Sequence, residues 1–160
     1  MMEVTIFSDG SSRGNPGPGG YGTILQCIDP SGKLHEKELS GGYQYTTNNR
    51  MEILGAIVGL EALKRPCQVT LYSDSQYLVN AINQNWIGGW ARNGWKNSQK
   101  KEVKNLDLWK RLLEAMRMHE VTFVWVKGHA GHPENERCDA LATAAADGPD
   151  KLEDFGCPKE

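Results

Sequence analysis

Two aspartates stand at similar places in the sequence, each directly after a run of strand-forming residues. Asp9 lies in the phrase IFSDGSSR, and Asp74 lies in the phrase LYSDSQYL. In open α/β sheets, functional side chains gather at the carboxyl ends of the strands. If the two strands are parallel neighbours, the two carboxylates lie side by side. Such a pair of oxygen ligands could hold a hard divalent cation.

Two further acids fall on segments whose apolar residues have helical spacing. Glu52 lies on the predicted helix 48–64, and Asp139 lies on a helix that follows the last predicted strand. Both helices must pack near the strands that end at Asp9 and Asp74. Three or four carboxylates would then share one small volume. At ~4 Å and an effective dielectric constant of ~20, each close pair repels by about 4 kcal/mol, and protonation or a bound cation relieves this repulsion.

The predicted cluster offers only oxygen ligands, which favour Mg²⁺, with Mn²⁺ as the alternative, at one or two ions per site. Two such ions about 4 Å apart can activate water and stabilise the leaving oxygen of an in-line displacement at phosphorus. The pattern therefore indicates phosphodiester chemistry.

Each acid taken singly also has a purely structural interpretation. Asp9 precedes a glycine and can form an Asx turn. Asp74 can cap the helix that follows it, and Glu52 lies three residues after Asn49, as in a capping box. Asp139 can be a solvated side chain on an amphipathic helix. Only the predicted convergence of the four carboxylates favours a metal site.

The elements that must position these acids follow from hydrophobic periodicity. Strands are predicted at 3–9, 21–29, 33–43, 67–74 and 120–128, and helices at 48–64, 75–84, 105–119 and after Pro133; residues 10–20 and 86–101 are predicted to be irregular. The first three strands have short connections, which indicates an antiparallel meander. A right-handed crossover then places the fourth strand parallel to the first and beside it. The predicted fold is an α/β protein with a five-stranded mixed sheet flanked by helices.

Composition restricts the class of protein further. The chain has 160 residues and a net charge of −2, which suits one globular domain. It has neither a long apolar run nor a signal-peptide pattern at its N-terminus. Its four cysteines form no C-x-x-C pair, which favours reduced thiols and a cytoplasmic location. No long apolar stripe indicates an oligomer, so we expect a monomer.

A basic segment, residues 92–111, interrupts this slightly acidic chain. Seven cations stand there against two acids, for a local charge of +5. Trp86, Trp90 and Trp95 lie in or beside the segment, and cations that follow phosphates beside aromatic faces suit nucleic-acid binding. The alternative is a solvated helix face whose tryptophans fix an irregular loop to the core. Trp109 fits that second interpretation, because it lies on the apolar face of a later helix.

Two other patterns suggest sites that the context disfavours. Gly17, Gly19 and Gly22 match the dinucleotide pattern G-x-G-x-x-G, but they lead into a strand, and an intervening proline removes a backbone donor. His132 and Cys138 follow His129 closely enough to suggest zinc, but a structural zinc site needs four nitrogen or sulfur ligands. The imidazole of His129 could instead move protons at a metal site, because its ordinary pKa lies near neutrality.

The chain resembles a bacterial ribonuclease H of type 1 from residue 3 to about residue 155. The motifs that carry this resemblance are DGSSRGNPGPGGYG, TTNNRMEI, YSDSQY, GWKNSQKKEVKNLDLW and WVKGHAGHPENERCDALA. The resemblance implies an endonuclease that hydrolyses the RNA strand of RNA–DNA hybrids by in-line attack of water with two metal ions, leaving 5′-phosphate and 3′-hydroxyl ends. It implies that Asp9, Glu52, Asp74 and Asp139 hold the ions. His129 would assist proton transfer or product release.

The resemblance also implies a set of residues that contact the hybrid. Those near the carboxylates are Gly10, Ser12, Asn15, Thr47, Asn48, Asn49 and Gln76, and those in or beside the basic segment are Trp86, Trp90, Arg92, Trp95, Lys96, Lys100 and Lys101. Short amides and hydroxyls suit phosphate oxygens and groove edges, and ribose 2′-hydroxyls distinguish RNA from DNA. For residues 47–49, turn chemistry and helix capping are the structural alternative.

The domain organisation implied is one catalytic domain, residues 1–146, followed by a polar and loosely ordered tail, residues 147–160. Two other functions compete with hybrid cleavage. One is a DNA-processing nuclease of the same fold, and the other is a hybrid-binding module without catalysis. Intact carboxylates disfavour the second, and the combination of Gln76, the basic segment and the histidine loop disfavours the first.

The phrase WARNGWK predicts weaker hybrid binding than in the most basic relatives. Ala91 and Asn93 occupy positions where such relatives carry further cations, so fewer phosphate contacts release fewer counterions. We expect a higher KM and a shallower dependence of log KM on log salt concentration. A salt titration of KM beside a more basic relative measures this, and an equal or steeper slope would rule it out.

Overall fold

The computed structural model describes residues 1–128 and 132–158, and within them the chain forms six strands and five helices. The strands are β1 (Met2–Ser12), β2 (Gly17–Ile28), β3 (Leu34–Thr46), β4 (Cys67–Ser73), β5 (Glu120–Trp125) and β6 (Lys151–Leu152). The helices are α1 (Asn48–Glu61), α2 (Gln76–Asn83), α3 (Trp86–Arg92), α4 (Leu106–Met116) and α5 (Pro133–Asp147). In the described part of the chain, no helix has the length and apolar character needed to cross a membrane.

All six strands belong to one mixed sheet in the order β5-β4-β1-β2-β3-β6. Strands β1, β2 and β3 form the predicted antiparallel meander. Strand β4 pairs with β1 in parallel, with Thr5 opposite Thr70 and Ser8 opposite Ser73, and β5 pairs in parallel with β4. The predicted α/β class and the predicted adjacency of the first and fourth strands are therefore confirmed.

The sheet has six strands and not the five predicted. The additional strand, β6, pairs in parallel with β3 beside Gly42 and Tyr43. It belongs to the C-terminal segment, residues 148–158, which is part of the tail 147–160 predicted to be loosely ordered. In the structure this segment also buries Cys157 and places Asp154 against Arg50. Its polar composition did not reveal these partners, because they lie about a hundred residues away in the sequence.

Two segments predicted to be irregular are more regular in the structure. Residues 10–20 were predicted as a loop, but β1 continues through Ser12 and β2 begins at Gly17. Residues 86–101 were predicted to be irregular, but they begin with the short helix α3. Tertiary packing of Ile87 and its neighbouring tryptophans against the core outweighs the low helix propensity of two glycines.

Helices α1 and α5 cover opposite faces of the sheet. Thr23 donates its hydroxyl to the carbonyl of Gly55 in α1 at 2.7 Å, whereas the preceding residue, Gly22, lies against α5. Successive residues of a strand point to opposite faces, so the two helices lie on opposite sides. The main apolar core fills the α1 side, between strands β1 and β4 and helices α1, α2 and α4.

Helix α5 approaches the sheet closely because the strands beneath it carry glycines. A Cβ atom added at Gly20, Gly22 or Gly42 would overlap backbone atoms of α5. The helix presents small residues there, including Cys138 and Ala142, both fully buried. This close packing fixes the position of Asp139, the residue next to Cys138.

We expect Gly22→Ala to destabilise the protein by about 2–3 kcal/mol, because overpacking must push α5 away from β2. Chemical denaturation measures the change. Gly89→Ala is the matched control, since a Cβ atom at Gly89 meets nothing within 4 Å and alanine favours a helix. Equal stability of Gly22→Ala and the parent protein would contradict the close approach of α5.

Candidate active site

Three of the four predicted carboxylates meet at the carboxyl end of β4, where Asp74 lies beside Asp9 of β1, three residues before that strand ends. Asp9, Glu52 and Asp74 each offer an oxygen ligand, and these atoms all lie within 4.8 Å of one another. The side chains of Asp9 and Glu52 are buried. Carboxylates this close and this poorly solvated repel strongly unless they bind protons or a cation. The donor set therefore fits a hard divalent cation.

The backbone of Gly10 joins the first two acids. Its N–H group donates to Asp9 Oδ1 at 2.9 Å and also to Glu52 Oε1. A Cβ atom at Gly10 would overlap the backbone of Met51 and Glu52, so only glycine lets α1 approach β1 this closely. The resemblance placed Gly10 among the hybrid contacts, and the structure places its N–H group against the two carboxylates.

Asp74 is held by the turn between β4 and α2. Ser75 is the N-cap of α2, accepting the N–H of Leu78 at 3.1 Å, and its own N–H donates to Ser73 Oγ at 3.1 Å. Trp125 Nε1 donates to the carbonyl of Asp74 at 3.1 Å. The carboxylate of Asp74 is therefore not needed as a helix cap, which removes its structural interpretation.

The structural interpretation of Glu52 is removed in the same way. Thr47, and not Asn49, is the N-cap of α1, because Thr47 Oγ1 accepts the N–H of Arg50 at 3.2 Å. Glu52 lies beyond the residue that a capping box would use. Its carboxylate is directed to Gly10 and the neighbouring acids.

Asp139 approaches the same cleft from α5, on the other side of the sheet. It lines one cavity with Asp9, Glu52 and Asp74, and it lines a second, smaller one with Asp9 and Asp74. It lies outside the tight group of three acids. The predicted convergence thus holds closely for three carboxylates and more loosely for the fourth.

Burial and neighbouring charges raise the pKa values of the two buried carboxylates, Asp9 and Glu52. The pKa of Asp9 is raised from 3.8 to about 7, chiefly by burial; the charge of Asp74 also raises it, and hydrogen bonds lower it. Burial raises the pKa of Glu52 well above its ordinary value, and the charge of Asp9 adds to this. Without a cation, the pair therefore retains a proton near neutral pH.

Sequence reasoning missed several residues that line the cleft. Asn135 lies one helical turn before Asp139, and its Oδ1 atom is buried without a hydrogen-bond partner among the described residues. Lys127 and Gly128 line the cleft beside Asp74, and a Cβ atom at Gly128 would lie 3.1 Å from Asp74 Oδ2. The four-residue spacing of Asn135 and Asp139 on one helix face is the signal that could have revealed the first of these.

The zinc alternative finds no support at Cys138. Its thiol is buried and donates to the carbonyl of Phe7 at 3.3 Å. Burial raises the pKa of this thiol to about 12, which disfavours the thiolate that zinc requires. His132 lines the carboxylate cleft and is exposed. His129 lies outside the described residues.

The predicted contacts near the carboxylates border the same cleft. Asn48, Asn49 and Gln76 are exposed at the first turns of α1 and α2 and line the cavity of the four acids. Asn15 accepts the N–H of Asn48 at 3.1 Å, which joins the β1–β2 connection to α1. Ser12 ends β1 and is half-buried.

The tryptophans beside the basic segment fit both predicted roles, fixing the loop to the core and offering aromatic surface to a ligand. Trp86 and Trp90 are half-buried and pack with Tyr77 and with the fully buried Trp109, as centroid separations of 5.4–6.5 Å show. They therefore fix α3 to the core while keeping part of each ring accessible. Trp109 is a core residue, as predicted.

Several cations of the basic segment are exposed to a ligand, although Arg111 pairs with Glu61. Arg92, Lys96, Lys100 and Lys101 are all exposed, the last two in a turn closed by the N–H of Asn97 donating to the carbonyl of Lys101 at 2.8 Å. Trp95 is half-buried, and the ammonium group of Lys110 lies 5.7 Å from the centre of its ring.

Comparison with known proteins identifies the family that this architecture represents. The family model described as RNase H matches residues 1–147. The chain belongs to the ribonuclease H family. A protein named Ribonuclease H from Lachnoclostridium phytofermentans is 64% identical over 154 residues, which cover 96% of this chain and 98% of that relative. The membership predicted from the motifs is confirmed.

Solved structures of ribonucleases H have the same fold. LC9-RNase H1, described as a type 1 RNase H with the type 2 active-site motif, is 31% identical, with a TM-score of 0.84 over 98% of this chain and 79% of that chain. LC11-RNase H1, solved in complex with an RNA/DNA hybrid, is 23% identical, with a TM-score of 0.65 over 90% of this chain and 96% of that chain. At 23% identity the likeness concerns the fold.

The raised pKa of Asp9 predicts how the stability of the metal-free protein depends on pH. Between about pH 4 and pH 7 the folded protein binds more protons than the unfolded chain, so its free energy of unfolding falls as pH rises through this window. We expect the Tm measured by circular dichroism with a chelator to fall accordingly. In Asp9→Asn, Tm should fall much less over the same pH window. Coincident profiles of Tm against pH for the variant and the parent would contradict the prediction.

Proposed function

We propose that this member of the ribonuclease H family hydrolyses the RNA strand of RNA–DNA hybrids, using divalent cations held by Asp9, Glu52, Asp74 and Asp139. The observation that carries the proposal is the group of three carboxylates whose oxygen ligands lie within 4.8 Å of one another, where β4 ends beside its parallel neighbour β1. Mg²⁺ is the proposed ion, with Mn²⁺ as the alternative, because the ligands are all oxygens.

The residues present fit such an ion, since the oxygen ligands of three carboxylates lie within 4.8 Å of one another and the side chains of Asp9 and Glu52 are buried. When bound, divalent cations supply Lewis-acid stabilisation of charge at phosphorus and a more acidic water. The chain itself orients the ligands. Gly10 holds Asp9 and Glu52 together, and Trp125 holds the turn that carries Asp74.

The protonation of the ligands and the charged groups around them also affect the proposed reaction. The buried pair Asp9 and Glu52 must release its proton to become fully charged, so acid pH opposes the active state. His129 remains the proposed group for proton transfer or product release. Lys127 borders the cleft and would place a positive charge near a bound phosphate. The proposed products carry 5′-phosphate and 3′-hydroxyl ends.

The proposed hybrid contacts form two groups around the carboxylates. One comprises Gly10, Ser12, Asn15, Thr47, Asn48, Asn49 and Gln76, and the other comprises Trp86, Trp90, Arg92, Trp95, Lys96, Lys100 and Lys101. The exposed cations of the second group suit a phosphate backbone, and the exposed amides of the first suit groove edges and 2′-hydroxyls. The known hybrid complex of LC11-RNase H1, whose fold this chain has, supports a hybrid as the partner.

The remaining proposals concern the setting of the reaction. We propose a monomer whose catalytic domain spans residues 1–146. A cytoplasmic location agrees with four free thiols, three of them buried. A DNA-processing nuclease of this fold would cleave double-stranded DNA, and a binding module would retain hybrids without cleaving them. Labelled hybrid, double-stranded DNA and double-stranded RNA, each with and without Mg²⁺, separate these functions.

Asp9→Asn should abolish Mg²⁺-dependent cleavage of a labelled hybrid while sparing the fold, because it removes a ligand and a source of repulsion. Gel electrophoresis of the products and circular dichroism measure the two effects. Glu114→Gln is the control, since Glu114 is exposed, pairs with Arg117 and does not line the cavities of the carboxylates. Turnover of Asp9→Asn at the parental rate would show that Asp9 is not a ligand of the reacting ion.

A further inference from the structure

Arg50 is a fully buried cation in the first turn of α1, with 1% of its surface exposed. All five N–H donors of its guanidinium have acceptors. Nε donates to Asp154 Oδ2 at 2.8 Å, and Nη2 donates to Asp154 Oδ1 at 3.0 Å. Nη1 and Nη2 donate to Asp107 at 2.9 and 2.6 Å, and Nη1 also donates to Asn105 Oδ1 at 3.3 Å. This leaves the side chain one orientation.

These bonds join three segments that are distant in the sequence. Arg50 belongs to α1, Asn105 and Asp107 belong to the start of α4, and Asp154 belongs to the C-terminal segment. Asp154 Oδ2 also accepts the hydroxyl of Thr46 at 2.6 Å, at the end of β3. Asp154 therefore fixes both the strand that leads into α1 and the first turn of that helix.

The backbone of the C-terminal segment covers this group of charges. A Cβ atom at Gly156 would overlap the carboxylate of Asp107 and would lie 2.5 Å from Arg50 Nη2. Only 10% of the Asp154 side chain is exposed, compared with 50% for Asp107. Asp154 is thus the better-shielded partner of Arg50, and its ion pair is the one that water weakens least.

The joined segments are the walls of a cleft of about 870 Å³. Asn15, Thr47 and Asn49 lie on its α1 side, and Lys104 and Lys110 lie on its α4 side. Arg50 lies between the two sides, and Gly156 borders the cleft from the C-terminal segment. The width of the cleft is therefore set by the bonds that Arg50 makes.

We propose that Asp154 is a positioning residue for the nucleic-acid substrate. It acts through Arg50 to hold the residues at the start of α1 at a fixed distance from the cations at the start of α4. The inference rests on the proposed binding of a hybrid along these two walls. It assigns a functional role to the C-terminal segment, which otherwise would serve only stability.

Removing the negative charge of Asp154 and losing its positioning role have opposite expected effects on substrate binding. A carboxylate beside a phosphate-binding cleft repels phosphates, so its neutralisation alone would strengthen substrate binding. Loss of positioning would weaken binding. Asp154→Asn keeps the shape of the side chain and removes its charge, so the direction of the change in KM separates the two effects.

The experiment compares steady-state cleavage of one labelled hybrid with Mg²⁺ by the parent protein and by Asp154→Asn. We expect KM to rise about 5- to 10-fold with kcat within about twofold, since Asp154 affects binding and not the carboxylates. Glu61→Gln is one control, because Glu61 pairs with Arg111 and joins the far end of α1 to α4. Leu60→Ala, in the core near that same end, controls for lost stability.

A lower or unchanged KM for Asp154→Asn overturns the proposal, as does a KM that rises equally in Leu60→Ala. If circular dichroism shows Asp154→Asn to be unfolded, Thr46→Val replaces it, because this change removes one bond to Asp154 and keeps the ion pair. We expect Thr46→Val to raise KM about two- to threefold. An unchanged KM there overturns the proposal.

A double-mutant cycle shows whether Asp154 acts through the start of α1. In an Asn49→Ala background, Asp154→Asn should raise KM by less than half the factor seen in the parent, since the positioned contact is already missing. Full additivity overturns the positioning role. If the parent protein itself does not cleave hybrids, the proposed function fails and not this inference alone.

Discussion

Parallel pairing of β1 with β4 is the interaction on which the rest of the site depends. It aligns Ser8 with Ser73, so the residues that follow them, Asp9 within β1 and Asp74 just after β4, lie side by side. Neither acid could be brought there by a local turn, because 65 positions of chain separate them. The hydrogen bonds of the ladder compensate for a repulsion that the carboxylates would otherwise relieve by moving apart.

Close packing on both faces then brings the other two acids to this edge. Gly10 admits α1 and with it Glu52, and the glycines of β2 and β3 admit α5 and with it Asp139. Larger residues at these contacts would lift the helices and widen the group of acids. The positions of the carboxylates therefore depend on the glycines that allow close helix packing as well as on the elements that carry the acids.

Much of this architecture was predictable because it rests on local periodicity and on the handedness of crossovers. The parallel adjacency of β1 and β4 and the helix after Pro133 are examples. The short strand β6 and the bonds of Arg50 were not predictable, because each depends on a partner distant in the sequence. Helix α3 was missed because packing overrode glycine-rich composition. The hybrid contacts were proposed from the motifs, because their residue types alone also suit capping and turns.

The burial of Arg50 has a consequence for the order of folding. Its best-shielded counterion, Asp154, and the parallel neighbour of β3 both lie about a hundred residues further along the sequence. A chain that lacks residues 148–158 can form the meander and α1, but it cannot bury this guanidinium favourably. A product truncated before residue 148 would therefore leave this side of the sheet incomplete and open to proteases.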